Sequence, residues 1–342
     1  MSRRVFTTLL ALTAVAASSG CSLPGSSNSG EGSLEQVKAL RVGLVTDTGG
    51  LEDRSFNSLA VRGLARARSE LGVQTKVLVS ETPADYGPNL AKLAREGYDL
   101  VIGVGFMIAP AVDRVAERFP DTKFAVVDNS TENLRNRNEN VQGALFDEKQ
   151  GGYLAGYLTG LFAIDNKIDQ VSVVGGQRIP PVQKYVNGFR SGVRAINPEL
   201  KVAVDYSNDF VNEAPCRKIA ERQISRGSRV VFQVAGKCGL GALAAAKEAG
   251  AFGVGVDADQ SYLGDFILTS ATKKVDVATF ETIRGAQNGE YLGGSDITFN
   301  VFNNGVGIGT LGPGAVRYRK QVEAIQSELV NGQESIQNRQ GR

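Results

Sequence analysis

Val45-Thr-Asp-Thr-Gly-Gly-Leu-Glu-Asp-Arg-Ser-Phe-Asn57 is the stretch whose reading decides the rest of the chain. Leu40-Arg-Val-Gly-Leu-Val45 before it has the length and β-branched content of a short, fully buried strand. Ser58 to Leu71 after it carries Leu59, Val61, Leu64, Ala65 and Ala67 at helical spacing. Between strand and helix lie acids, glycines, one aromatic and one amide. In an open parallel sheet the carboxyl end of the first strand is where ligands bind. Asp47, Asp53, Phe56 and Asn57 are therefore candidate ligand contacts. The same residues also suit a plain capped turn, with Asp or Ser as N-cap and Phe56 as a hydrophobic staple.

Working outward, strand and helix patterns alternate. Strands are expected at 75–79, 98–104, 123–127 and 141–146, with helices at 89–96 and 110–118. A Gly/Ala-rich helix at 148–162 is expected to pack tightly between lobes. The rhythm then restarts with strands at 170–174, 201–206, 229–234 and 252–256 and helices at 182–195, 214–226 and 240–249. A strand at 266–269, a helix at 275–288, a β-rich tail at 297–308 and a helix at 314–330 complete it. Two successive α/β halves point to two Rossmann-like lobes around a cleft, and 342 residues suffice for two buried cores.

Residues 1–20 read as an export signal: Arg3-Arg4, an apolar run from Val5 to Ala17, then small residues before Cys21. That run is too short for a permanent membrane span. Small residues followed by Cys resemble a lipobox, which makes Cys21 a lipidated N-terminus on the extracytoplasmic face of the cell membrane. Cleavage after Ala16, giving a free secreted protein, is the alternative. The Arg pair leaves both the general and the twin-arginine export routes open. Residues 21–38 are the lipidated Cys and a Ser/Gly-rich tether.

Composition removes several classes of function. Without Arg3 and Arg4 the 38 basic residues fall level with the 36 acids, which argues against nucleic acid as a partner. The chain has no His, so imidazole bases and His metal sites are absent. Cys21, Cys216 and Cys238 form no CxxC pair. Gly307-Ile-Gly-Thr-Leu-Gly312 spells a dinucleotide fingerprint but lacks the strand–turn–helix context. No cofactor is implied.

The stretch Asp47-x-Gly-Gly-x-x-Asp-x-Ser-Phe-Asn57 resembles the opening of the basic membrane lipoproteins, the substrate-binding proteins of nucleoside ABC importers. The resemblance runs from about residue 40 to 336. It returns at Asp128 after Phe-Ala-Val-Val, at Gly175-Gly176, and at Phe210 before Arg217-Lys-Ile-Ala220. It returns again at Ala235-Gly-Lys-Cys-Gly-Leu-Gly241, where Lys237 and Cys238 replace small residues, at Gly255-Val-Asp-Ala-Asp-Gln260, and at Thr269-Ser-Ala-Thr-Lys273. It implies a type I periplasmic-binding-protein-like fold that takes a purine nucleoside and passes it to an ABC permease, with the membrane as partner only through the lipid anchor.

In that reading Phe56 and Phe210 stack on the base and Asp128 contacts it. Gly176 and Gly236 let backbone approach, and Asp257 and Lys273 reach the ribose. Lobe I is expected to hold 39–146 plus about 261–290, and lobe II 147–260 plus about 291–336, with three crossings between them. A sugar-binding or signalling receptor of the same fold, or an enzyme that cleaves the nucleoside, are the alternatives. Because Cys216 and Cys238 both open helices after strands taken as neighbours in an exported chain, they are expected to form a disulfide.

Overall fold

The computed structural model describes residues 39–332. The export signal, Cys21 and the tether lie outside the described residues. The chain lays down β1 (Arg41–Val45), α1 (Phe56–Leu71), β2 (Gln74–Leu78), α2 (Tyr86–Arg95), β3 (Leu100–Gly103), α3 (Ala109–Arg118), β4 (Lys123–Val127) and β5 (Val141–Phe146). The same rhythm follows as α4 (Glu148–Asp165), β6 (Gln170–Gly175), α5 (Pro180–Ile196), β7 (Lys201–Tyr206), α6 (Glu213–Ser225), β8 (Val230–Val234), α7 (Cys238–Glu248), β9 (Phe252–Asp257) and β10 (Ile267–Lys273). The chain then adds α8 (Val275–Gln287), β11 (Asp296–Phe299), β12 (Val306–Ile308) and α9 (Arg319–Val330).

Two six-stranded sheets result, ordered β11-β5-β4-β3-β1-β2 and β12-β10-β9-β8-β6-β7. Counted from the first strand of each lobe, the two orders are the same. Every pairing is parallel except β10 with β12. Strands buried on both faces need continuous apolar runs, and Val-Val-Phe-Gln-Val234 and Leu-Val-Ile-Gly103 supply them.

The partition of the last third differs from the expected one. β10 joins the second sheet beside β9, with Ser270 opposite Gly255 and Thr272 opposite Asp257. β11 joins the first sheet beside β5, with Asp296 opposite Gly143. Strand pairing decides lobe membership, so residues 267–273 leave lobe I and 296–299 leave lobe II. The chain passes between the sheets three times, after β5, after β10 and between β11 and β12. α8 lies on α1, where Arg62 pairs with Asp276 at 2.7 Å.

The glycines of α4 are spent on α5, within the second lobe, rather than between the lobes. A Cβ at Gly152 or Gly156 would overlap the carbonyl of Tyr185 or Phe189, and one at Gly188 or Gly192 would overlap that of Lys149 or Tyr153. Glycines four apart on both helices thus let the two backbones touch.

Cys216 and Cys238 are disulfide-bonded, with Cα atoms 5.6 Å apart. The route differs from the expected one, because β6 stands between β7 and β8. The bond forms because α6 and α7 pack side by side, so closely that a Cβ at Gly241 would overlap the Glu213 carbonyl.

The α4–α5 contact predicts an asymmetry between two glycine substitutions. Gly156→Ala is expected to lower unfolding stability by about 2–3 kcal/mol through overpacking against backbone. Gly285→Ala in α8, whose Cβ would meet nothing closer than 3.7 Å, is expected to raise it by about 0.5–1 kcal/mol. Urea unfolding of the two variants measures both.

Candidate ligand-binding cleft

The carboxyl ends of both sheets face one cavity. The turn after β1 brings Asp47, Asp53, Phe56 and Asn57 to it, the loop after β3 brings Gly105, Phe106 and Met107, and Asp128 follows β4. From the second sheet come Phe210 after β7, Gly236 and Lys237 after β8, Asp257 at the end of β9 and Lys273 at the end of β10. The first turns of α5 add Pro181 and Tyr185.

The charges centre on Lys273, which is 2% exposed. Its ammonium lies 2.6 and 2.7 Å from the Asp128 carboxylate oxygens and 3.0 Å from Oε1 of Glu148, itself 1% exposed. The ring centroids of Phe146 and Phe56 lie 4.8 and 5.0 Å from it. Lys184 reaches the second Glu148 oxygen at 3.3 Å. Burial alone would lower the Lys273 pKa, but the charges of Asp128, Glu148 and Asp257 outweigh it and hold the ammonium above its ordinary range.

Asp257 accepts from Ser55 Oγ across the cleft at 3.2 Å and lies 3.5 Å from the Tyr185 hydroxyl. Burial pushes its carboxyl up to about 7, against the pull of Lys273 and with a push from Asp128. Burial likewise pushes Asp128 up to about 6, opposed by Lys273. Both aspartates have positive φ, 71° at Asp128 and 61° at Asp257, at the ends of topologically equivalent strands. That conformation is uncommon for a residue with a side chain and recurs at functional sites.

On the first lobe Asn57 donates to Asp47 at 2.6 Å, and burial raises the Asp47 pKa. The Asn57 carbonyl oxygen is buried and accepts nothing from the protein. Asp53 behaves differently: it accepts from the backbone N–H groups of Ser55, Asn57 and Ser58 at 3.0, 2.6 and 3.1 Å. Its carboxylate fastens the start of α1 and has little left for a ligand.

Gly176 is the one expected contact that does not line the cavity. A Cβ there would overlap the Phe210 ring, so the glycine makes room for the aromatic wall. The other expected residues converge on the cavity. Sequence reading passed over Glu148, Tyr185, Phe106 and Met107. A buried lysine needs more than one counter-charge, and the lone acid opening the Gly-rich helix was the available signal for Glu148. In the first lobe only the turns after β1 and β4 supplied candidates, so the turn after β3, which carries Phe106 and Met107, was not among them.

The site is thus an acceptor-rich cavity lined by aromatic rings from both lobes. It suits a neutral, flat ligand that brings O–H and N–H donors. Its empty form carries a pH signature. Asp257 holds its proton below about 7 when folded and below its ordinary 3.8 when unfolded. Between those values the folded chain binds more protons, so stability falls as pH rises through that window. The ligand-free thermal midpoint should be higher at pH 5.5 than at pH 8, and Asp257→Asn should remove much of the difference by stabilising the protein at pH 8. Scanning calorimetry at the two pH values measures this.

A family model described as "ABC transporter substrate-binding protein PnrA-like" matches residues 40–340. A Listeria monocytogenes protein named "CD4+ T-cell-stimulating antigen" is 33% identical over 79% of this chain and 80% of its own. The "ABC transporter nucleoside-binding protein BmpA" of Lactococcus lactis is 28% identical over 98% of this chain and 99% of its own. Among solved structures, an ABC transporter solute-binding protein from Aeropyrum pernix K1 superposes with a TM-score of 0.78 at 26% identity, covering 86% of this chain and 92% of that one. With a match that spans both lobes and the cleft between them, the chain belongs to the PnrA-like (Bmp) family of ABC transporter substrate-binding proteins.

Proposed function

We propose that the protein captures a purine nucleoside in the cleft and delivers it to the permease of an ABC importer, while held at the membrane by a lipid on Cys21. One observation carries the reading. Phe56 from the first lobe and Phe210 from the second line the same cavity as the buried acceptor Asp257. Two phenyl faces from opposite lobes can hold one flat heterocycle, each stack contributing about 1–3 kcal/mol. Asp257 accepts from the vicinal ribose hydroxyls, and Lys273 donates to the ribose while it holds Asp128 and Glu148. Asp128, Asp47, Asn57 and the backbone at Gly236 take the polar edges of the base. The "nucleoside-binding" name of the Lactococcus relative supports this choice over a sugar. Capture proceeds by closure of the two lobes, stabilised by contacts from both.

Guanosine, inosine or adenosine should raise the melting temperature, since a ligand that binds only the folded chain stabilises it by mass action. Stabilisation by ribose or another sugar, with none by a nucleoside, would overturn the reading. In calorimetric titration Phe56→Ala and Phe210→Ala should weaken nucleoside and free base alike. Asp257→Ala should weaken the nucleoside selectively.

The anchor is tested separately. Cys21→Ser should move the protein from the membrane fraction to the medium. A mature start after Ala16 in intact-mass analysis would instead indicate a free secreted protein.

A further inference from the structure

We infer that the Cys216–Cys238 disulfide positions Phe210 for ligand stacking, so that breaking it weakens binding through this one wall of the cleft. The inference rests on the nucleoside reading of the cavity. Phe210 lies in the loop between β7 and α6. Its carbonyl accepts from the Cys238 backbone N–H at 3.1 Å. Cys238 is bonded to Cys216, in the first turn of α6, the helix that the Phe210 loop enters. The chain from Phe210 to Cys216, the sulfur bridge and that hydrogen bond therefore close a small ring, and the aromatic wall is one member of it.

The rest of the loop is tied to the same point. The Ser207 hydroxyl lies 3.5 Å from the Cys238 sulfur and donates to the Asp209 carbonyl at 2.8 Å. Asp209 in turn accepts from the N–H groups of Val211 and Asn212 at 2.7 and 3.1 Å. Immediately before Cys238, Gly236 at φ +56° and Lys237 line the cavity. Both cysteines are fully buried, and their bond links the first turns of α6 and α7 at the cavity end of the sheet.

Without the covalent link, α6 and α7 are held together by packing and by the exposed Arg217–Glu248 ion pair. The Cys238 N–H can then shift relative to the Phe210 carbonyl, and the ring above Gly176 can tilt. Phe56 has no part in this ring of contacts. It opens α1 in the other lobe, on a turn fastened by Asp53. The two stacking walls should therefore respond differently to the same covalent change, which a purely stabilising cross-link would not produce.

The test is a double-mutant cycle read by isothermal titration with guanosine on the mature chain. Cys216→Ser/Cys238→Ser is expected to weaken guanosine about fivefold, toward the low end of one base–aromatic stack. The same pair of changes should cost nothing further in a Phe210→Ala background and should still cost about fivefold in a Phe56→Ala background. Cys216→Ala/Cys238→Val refills the sulfur volume, and wild-type protein refolded under reductant needs no substitution. Either serves if the Ser pair does not fold. Guanosine affinity indifferent to the disulfide, or an equal loss in both Phe backgrounds, overturns the inference while leaving nucleoside binding intact. Oxidised wild-type protein that binds no nucleoside overturns both.

Discussion

The buried ammonium of Lys273 is the constraint on which the cleft depends. A lysine 2% exposed survives as a cation only where carboxylates surround it, and three do: Asp128, Glu148 and Asp257. They come from three places. Asp128 ends a strand of the first sheet, Glu148 opens the helix that follows the first crossing, and Asp257 ends a strand of the second sheet. Only the pair with Asp128 joins one lobe's sheet to the other's. Glu148 opens α4, which packs on α5 in the second lobe, so Asp128 and Glu148 hold the ammonium from the two sides of the cleft.

Lys273 and the partly exposed Lys184 stand against Asp128, Glu148 and Asp257, which leaves the cluster short of positive charge. Burial then drives the two aspartates up toward neutrality, to about 6 and about 7. The donors that these carboxylates lack can come from a ligand's hydroxyls or ring N–H groups. The unpartnered side-chain oxygen of Asn57, in the first lobe, asks for the same. The two lobes contribute to this pattern in matching ways. Asp128 and Asp257 end equivalent strands with the same left-handed backbone, so one structural device appears once in each topological copy.

Much of this was legible in the sequence, because the signals were local. Apolar runs followed by polar turns located the strand ends, and the Phe56, Phe210 and Asp257 motifs placed cavity residues correctly. What failed was information that only pairing supplies. Nothing in Ile267–Lys273 or Asp296–Phe299 says which sheet will accept it, since both strands sit late in the chain near crossings, and each filled the lobe opposite to the one expected. Asp53 and Asp257 look alike as letters. One is consumed by three backbone N–H groups at a helix start, and the other meets the Ser55 and Tyr185 hydroxyls beside the cavity.

Gly176 and the disulfide show the same limit from the opposite side. A glycine after a strand reads as a place where a ligand approaches backbone, yet here the approaching group is the protein's own Phe210 ring. The cysteines were expected to meet because their strands were taken as neighbours, but β6 separates those strands, and the meeting depends on α6 and α7 packing on each other. In both cases the residue acts on the cavity through Phe210 rather than by touching its contents. Two positions outside the cavity lining, the glycine by the space it leaves and the cross-link through the Cys238 N–H, thereby fix where an aromatic wall can stand. The Phe210 wall is thus held from behind its ring, by the room at Gly176 and by the Cys238 N–H.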